Sequence, residues 1–125
     1  MNKKILIVDD NHEILELLYQ SLKRAEYDVH TASDADSGLK LYRKLNPDLV
    51  IADIKMPQKT GFEMISEIRA IEPDVKVIYI TAWAMDDSID HKLNMELKEF
   101  PKYRVIQKPF DLKTLWSTVR ETLET

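Results

Sequence analysis

There is no cysteine among the 125 residues, so a disulfide framework, a thiolate zinc site and a thiol nucleophile are all excluded. Glycine occurs only twice, at Gly38 and Gly61, too far apart for the GxGxxG dinucleotide turn or the GxxxxGK phosphate cradle. Nucleotide cofactors held by such loops are not expected. No block of Lys and Arg exceeds two residues, and 18 basic against 22 acidic side chains leave a net charge of −4, which argues against direct binding to nucleic acid or to an anionic membrane. Long hydrophobic runs are missing as well. The apolar stretch behind the basic start is Ile5 to Val8 and ends in two aspartates, so neither a signal peptide nor a spanning helix is expected, and a cytoplasmic location is. His12, His30 and His91 are scattered, and the run from His12 to Glu16 lacks the second histidine of HExxH, which leaves no zinc site to expect.

What is present is 44% hydrophobic residues in a chain long enough for one self-sufficient core, read as a single domain over residues 1–125 that ends where the chain ends. Any output would then pass through its surface. Continuous apolar runs recur at 5–8, 49–52 and 77–80, rich in β-branched residues, and predict strands buried on both faces. Two mixed segments, 29–32 and 103–107, predict strands at the sheet edges. Helical periodicity lies between them. The first helix, at about 12–25, carries Ile14, Leu18, Leu22 and Ala25 on one stripe, and the second, at about 34–45, carries Leu39, Tyr42 and Leu45. Thr60 and Glu63 form a capping box ahead of Ile65, Ile68 and Ile71 in the third. A fourth helix falls within 85–99, and a fifth follows Asp111 as N-cap, with Leu112, Leu115, Trp116, Val119 and Leu123 on or beside its apolar stripe; Trp116 is read as core and Met56 as packed. Five β-then-α units with right-handed crossovers give an α/β, doubly wound parallel sheet with helices on both sides.

Ligands of such sheets bind outside the carboxyl ends of the strands. Those ends deliver Asp9 and Asp10 from the first strand, Asp53 from the third, Thr81 from the fourth and Lys108 from the fifth. Carboxylates brought this close repel one another unless a cation sits among them, and oxygen-only ligands on a rigid frame suit Mg²⁺. The chemistry that fits is phosphoryl transfer, with Asp53 as nucleophile, Mg²⁺ and the Lys108 ammonium neutralising the equatorial oxygens, and the Thr81 hydroxyl donating to one of them.

Together, ILIVDD at 5–10, DLVIADIKMP at 48–57 with Gly61 beyond, ITA at 80–82 and KPF at 108–110 resemble a response-regulator receiver domain, in order and across the whole chain. The resemblance implies a flavodoxin-like (βα)5 fold with a five-stranded parallel sheet in the order 2-1-3-4-5. It implies that Asp53 accepts a phosphoryl group from a histidine kinase or histidine phosphotransferase. Asp10, Asp53 and the backbone carbonyl of Lys55 would ligate Mg²⁺ directly, with Asp9 acting through water or as a helper. Thr81 would be the switch hydroxyl, and Lys108 the pairing lysine beside a cis Lys108–Pro109 bond. By the same resemblance, Lys55 and Trp83 would hold the positions that flank the phosphoryl group and tune its loss.

The spacing departs from that pattern in one place. Lys108 follows Thr81 by 27 residues, several more than usual for the family, with Glu99-Phe100-Pro101-Lys102 where a small-residue turn is common. The fourth helix and its following loop are therefore expected to be longer, shifted or partly irregular, and the segment 85–104 to set this chain's output apart. Val105 stands where the family often carries a switching aromatic; Tyr103, on the same strand face, is the substitute candidate. Ile14 and Leu17 on the first helix are candidate phosphodonor contacts, with Leu17 about 100° from the apolar stripe. The resemblance also implies a monomer or a weak dimer, paired through the face of the fourth helix, fifth strand and fifth helix. The competing readings are an unphosphorylated adaptor of the same fold, a haloacid-dehalogenase-like phosphatase and a flavodoxin-like electron carrier. Intact Asp9, Asp10, Asp53, Thr81 and Lys108 oppose the first. Asn11 in place of the second aspartate of Asp-x-Asp opposes the second, and the lack of a Ser/Thr/Gly phosphate loop opposes the third.

Overall fold

The computed structural model describes residues 2–82 and 87–125. Five strands, β1 (Lys4–Val8), β2 (Asp28–Ala32), β3 (Leu49–Asp53), β4 (Val77–Thr81) and β5 (Tyr103–Gln107), alternate with five helices, α1 (His12–Arg24), α2 (Ala35–Leu45), α3 (Gly61–Ile71), α4 (Asp87–Glu99) and α5 (Leu112–Leu123). The strands form one parallel sheet in the order β2-β1-β3-β4-β5, so the chain reverses its winding direction between β1 and β3. β3 and β4 are buried at every position, as central strands with helices on both faces must be. One layer joins Leu6, Val8, Val50, Ala52, Val77 and Tyr79 to α2 and α3, with Leu93 of α4. The opposite layer joins Ile5, Ile7, Leu49, Ile51, Ile78 and Ile80 to α1 and α5. Each such fully buried aliphatic side chain contributes about 1.5–3 kcal/mol.

The helix starts follow their caps: Asn11 for α1, Asp34 for α2, Thr60 with Glu63 in a reciprocal capping box for α3 and Asp111 for α5. Three packing expectations are corrected. On α1 the sheet takes Leu15, Leu18 and Leu22, while Ile14 is half-buried and Ala25 is the exposed C-cap, because the chain turns off the sheet there. Ile71 is 47% exposed at the last turn of α3, beyond the edge of the core. Trp116 is 37% exposed; its indole N–H donates to the Ser21 carbonyl, so the ring bridges α5 to α1 instead of entering the core. The expected irregularity of the fourth helix is also absent over the described residues. α4 is a regular 13-residue helix, and the connection to β5 is a short turn closed by Phe100 N–H to Glu96 O and Tyr103 N–H to Phe100 O. Among the described residues no helix is long and apolar enough to cross a membrane.

Candidate functional site

Four of the five strand-end residues, Asp9, Asp10, Asp53 and Lys108, converge, while the hydroxyl of the fifth, Thr81, donates to the Ala82 carbonyl at 3.4 Å. Asp9 follows β1 directly, held by its N–H to the carbonyl of Ala32, so the β1–β2 ladder runs one residue past the strand. Its Oδ1 accepts from the N–H of Asn11, and the Asn11 side chain in turn caps α1 by accepting from Glu13 and Ile14. Asp53 ends β3, and Thr81 ends β4. The N–H of Lys108 donates to the carbonyl of Thr81 at 2.7 Å, which continues the β4–β5 pairing and turns the lysine toward the carboxylates. Its Nζ lies 3.6 Å from Asp9 Oδ2 and 3.9 Å from Asp53 Oδ1. The Lys108–Pro109 bond is cis.

Gly61 makes this geometry attainable. A Cβ there would stand 2.3 Å from the carbonyl oxygen of Asp53, so only glycine lets the start of α3 press against the end of β3. The contact is sealed by Gly61 N–H to the Ile54 carbonyl at 2.8 Å. The intervening loop carries Lys55, exposed, and turns at Gln58, whose φ of 69° lies in the left-handed region. Lys59 ties the loop down through Glu67 at 2.6 Å and Asp36 at 3.2 Å.

The electrostatics are those of a site short of positive charge. Carboxylate oxygens of Asp9, Asp10 and Asp53 lie within 4.8 Å of one another, with Asp9 and Asp53 buried and Asp10 exposed. Burial first, and then the charge of Asp9, push the Asp53 carboxyl up to about 7; Lys108 opposes the rise and Asp10 adds to it. Asp9 Oδ2 is buried and receives no hydrogen bond. An orphaned, fully buried carboxylate oxygen beside two more carboxylates fits a hard divalent cation better than it fits the single ammonium at 3.6 Å.

Of the remaining sequence candidates, Leu17 is 46% exposed and Ile14 half-buried on the α1 turn nearest the site. Val105 is 37% exposed on β5, whereas Tyr103 is buried. Trp83 lies outside the described residues. Two roles were not legible in advance: that of Asn11 as the α1 cap, signalled by an amide directly after two aspartates, and that of Gly61, which only the close approach to Asp53 reveals.

The response regulator receiver domain pattern matches residues 5–120. Two curated proteins of Bacillus subtilis are similar in sequence. The alkaline phosphatase synthesis transcriptional regulatory protein PhoP is 39% identical over 78% of this chain, which spans 40% of that protein's length. Sporulation initiation phosphotransferase F is 33% identical over 98% of the chain and 95% of its own. Among solved structures, a response regulator receiver domain protein from Clostridium thermocellum superposes with a TM-score of 0.84 at 30% identity, covering 98% of this chain and 94% of that one.

Proposed function

Because the chain belongs to the response regulator receiver domain family of two-component signalling, we propose that it is a phosphoacceptor switch or relay whose Asp53 takes a phosphoryl group from a histidine kinase or histidine phosphotransferase. Receiver domains are signalling modules that interact with such partners and generally bind Mg²⁺ at an acidic pocket. The observation that carries the reading is the convergence of three carboxylates and one ammonium at the carboxyl edge of the sheet.

The ionised Asp53 oxygen attacks phosphorus, the P–N bond of the donor imidazole breaks, and the leaving nitrogen keeps the electron pair. An acyl phosphate forms on Asp53. Mg²⁺, held by Asp10, Asp53 and the Lys55 carbonyl with Asp9 behind them, would supply charge neutralisation at the phosphoryl oxygens. Lys108 holds its ammonium on the side of Asp53 where negative charge accumulates, and Thr81, at the end of the neighbouring strand, offers its hydroxyl to the same group. Lys55 and Trp83 flank the phosphoryl group and set its lifetime, while Ile14 and Leu17 offer the donor an apolar contact beside the acidic site.

The test is intact mass after incubation with Mg²⁺ and acetyl phosphate, run beside Asp53→Asn. Wild type gains one phosphoryl group and the variant none. If neither gains it and phosphorylated kinases also fail to transfer, the chain is an unphosphorylated adaptor of the same fold.

A further inference from the structure

Helix α4 lays Leu93 on the core with Ile89 and Leu97 half-buried beside it, and the one other side chain buried among its described residues is a carboxylate, Glu96. Glu96 is where α4 meets three other elements. Its Oε1 accepts from the Tyr79 hydroxyl of β4 at 2.7 Å and faces Nη1 of Arg69 from α3 at 3.6 Å. The same Arg69 nitrogen donates to the Tyr103 hydroxyl of β5 at 2.8 Å. The guanidinium lies 4.1 Å over the ring of Phe100, which follows α4, and Phe100 stacks on Tyr103 with centroids 4.8 Å apart. Burial, and then the bond to Glu96, hold the Tyr79 phenol above its usual range, so it remains a donor.

The network also bears on how a change at the site could travel. Tyr79 stands two residues before Thr81 on the same strand face, and its ring meets Phe62, the residue after Gly61, edge-on at 5.2 Å. It meets Tyr103 edge-on at 6.1 Å. β5 carries Val105 where an aromatic could swing, and its one aromatic, Tyr103, is fixed by a charged hydrogen bond and two ring contacts. Moving α4 off the sheet would strand the Glu96 carboxylate and the Arg69 guanidinium without each other.

We propose that Glu96, Tyr79, Arg69 and Tyr103 form a latch that holds α4 and β5 in one position whether or not Asp53 is phosphorylated, so that the response to phosphorylation stays in the loops around the acidic site. The proposal rests on the phosphoacceptor reading, and its test separates the two. Amide hydrogen exchange is followed residue by residue with Mg²⁺ alone and with Mg²⁺ plus beryllofluoride as a phosphoryl mimic. Residues 9–11, 53–61 and 108–110 change, while 87–99 and 103–107 keep their rates within about twofold. In Glu96→Gln, and in Tyr79→Phe as a variant that keeps the ring, α4 becomes responsive by about tenfold. Wild-type α4 changing as much as the loops overturns the latch, as does a variant α4 that stays unresponsive. If no amide responds anywhere, the phosphoacceptor reading has failed, and the latch is decided in the metal-free protein by a Glu96→Gln, Tyr79→Phe double-mutant cycle on α4 exchange. Coupled effects sustain it and additive effects overturn it.

Discussion

Asp53 is placed where a carboxylate is costly to the fold. In the unfolded chain it titrates at its ordinary value of 3.8, while in the folded protein burial and Asp9 push it up to about 7. Between those values the folded protein keeps a proton that the unfolded chain has released. The favourable contribution is therefore complete below the unfolded value and is lost as the pH rises through the folded one. The metal-free protein should melt at progressively lower temperature between about pH 4 and pH 7 as this proton leaves and level off above that, and Asp53→Asn should flatten that slope and melt above wild type at the alkaline end. Calorimetry across this range checks both. An Asn variant no more stable than wild type at the alkaline end would mean that the carboxylates are not in conflict.

At the scale of single elements, the end of α1 holds a removable strain. Glu26 has φ 70°, the N–H of Tyr27 reaches the carbonyl of Leu22, and the N–H of Glu26 reaches that of Lys23. That pair of bonds is the Schellman ending, in which glycine is the unstrained occupant. Glu26→Gly should stabilise the protein by about 0.5–1 kcal/mol, the relief of the left-handed backbone less the extra entropy glycine loses on folding. Urea midpoints of Glu26→Gly and Glu26→Ala decide it, since alanine keeps the strain and should bring no gain. The sequence made the caps at Thr60 and Asp111, the strands and the residues that end them legible, because each is written in residues close together along the chain. The rotation of a helix about its axis is written elsewhere. Ile14, Leu15, Leu17, Leu18 and Leu22 form one broad apolar sector, and only the sheet beneath selects Leu15 over Ile14. Trp116 likewise finds its partner 95 residues away, at Ser21. Glu96 follows Leu93 by three residues and so shares its buried face, but its partners on β4 and α3 come from other parts of the sequence.

At the scale of the molecule, the acidic site is built by the same β1 and β3 that fill both core layers, with the turn of Gly61 pressed onto the end of β3. A cation bound there is held by residues that exist together only in the folded chain, so its binding energy becomes stability of the whole domain. Mg²⁺ at a hundredfold excess over its dissociation constant should therefore add about 2.7 kcal/mol. For a chain of this length that is a rise in melting temperature of roughly 10 °C. The rise should grow with pH, opposite in sign to the metal-free slope, because the cation competes with the Asp53 proton. Far-UV dichroism and calorimetry should report one coincident transition that moves as a unit, since the two core layers share the central strands. Asp9→Asn should leave the fold intact and reduce the shift, because its buried oxygen, which receives no hydrogen bond, stands behind the groups that would hold the cation. A shift of the same size in Asp9→Asn, or one unchanged by pH, would place the cation elsewhere on the surface.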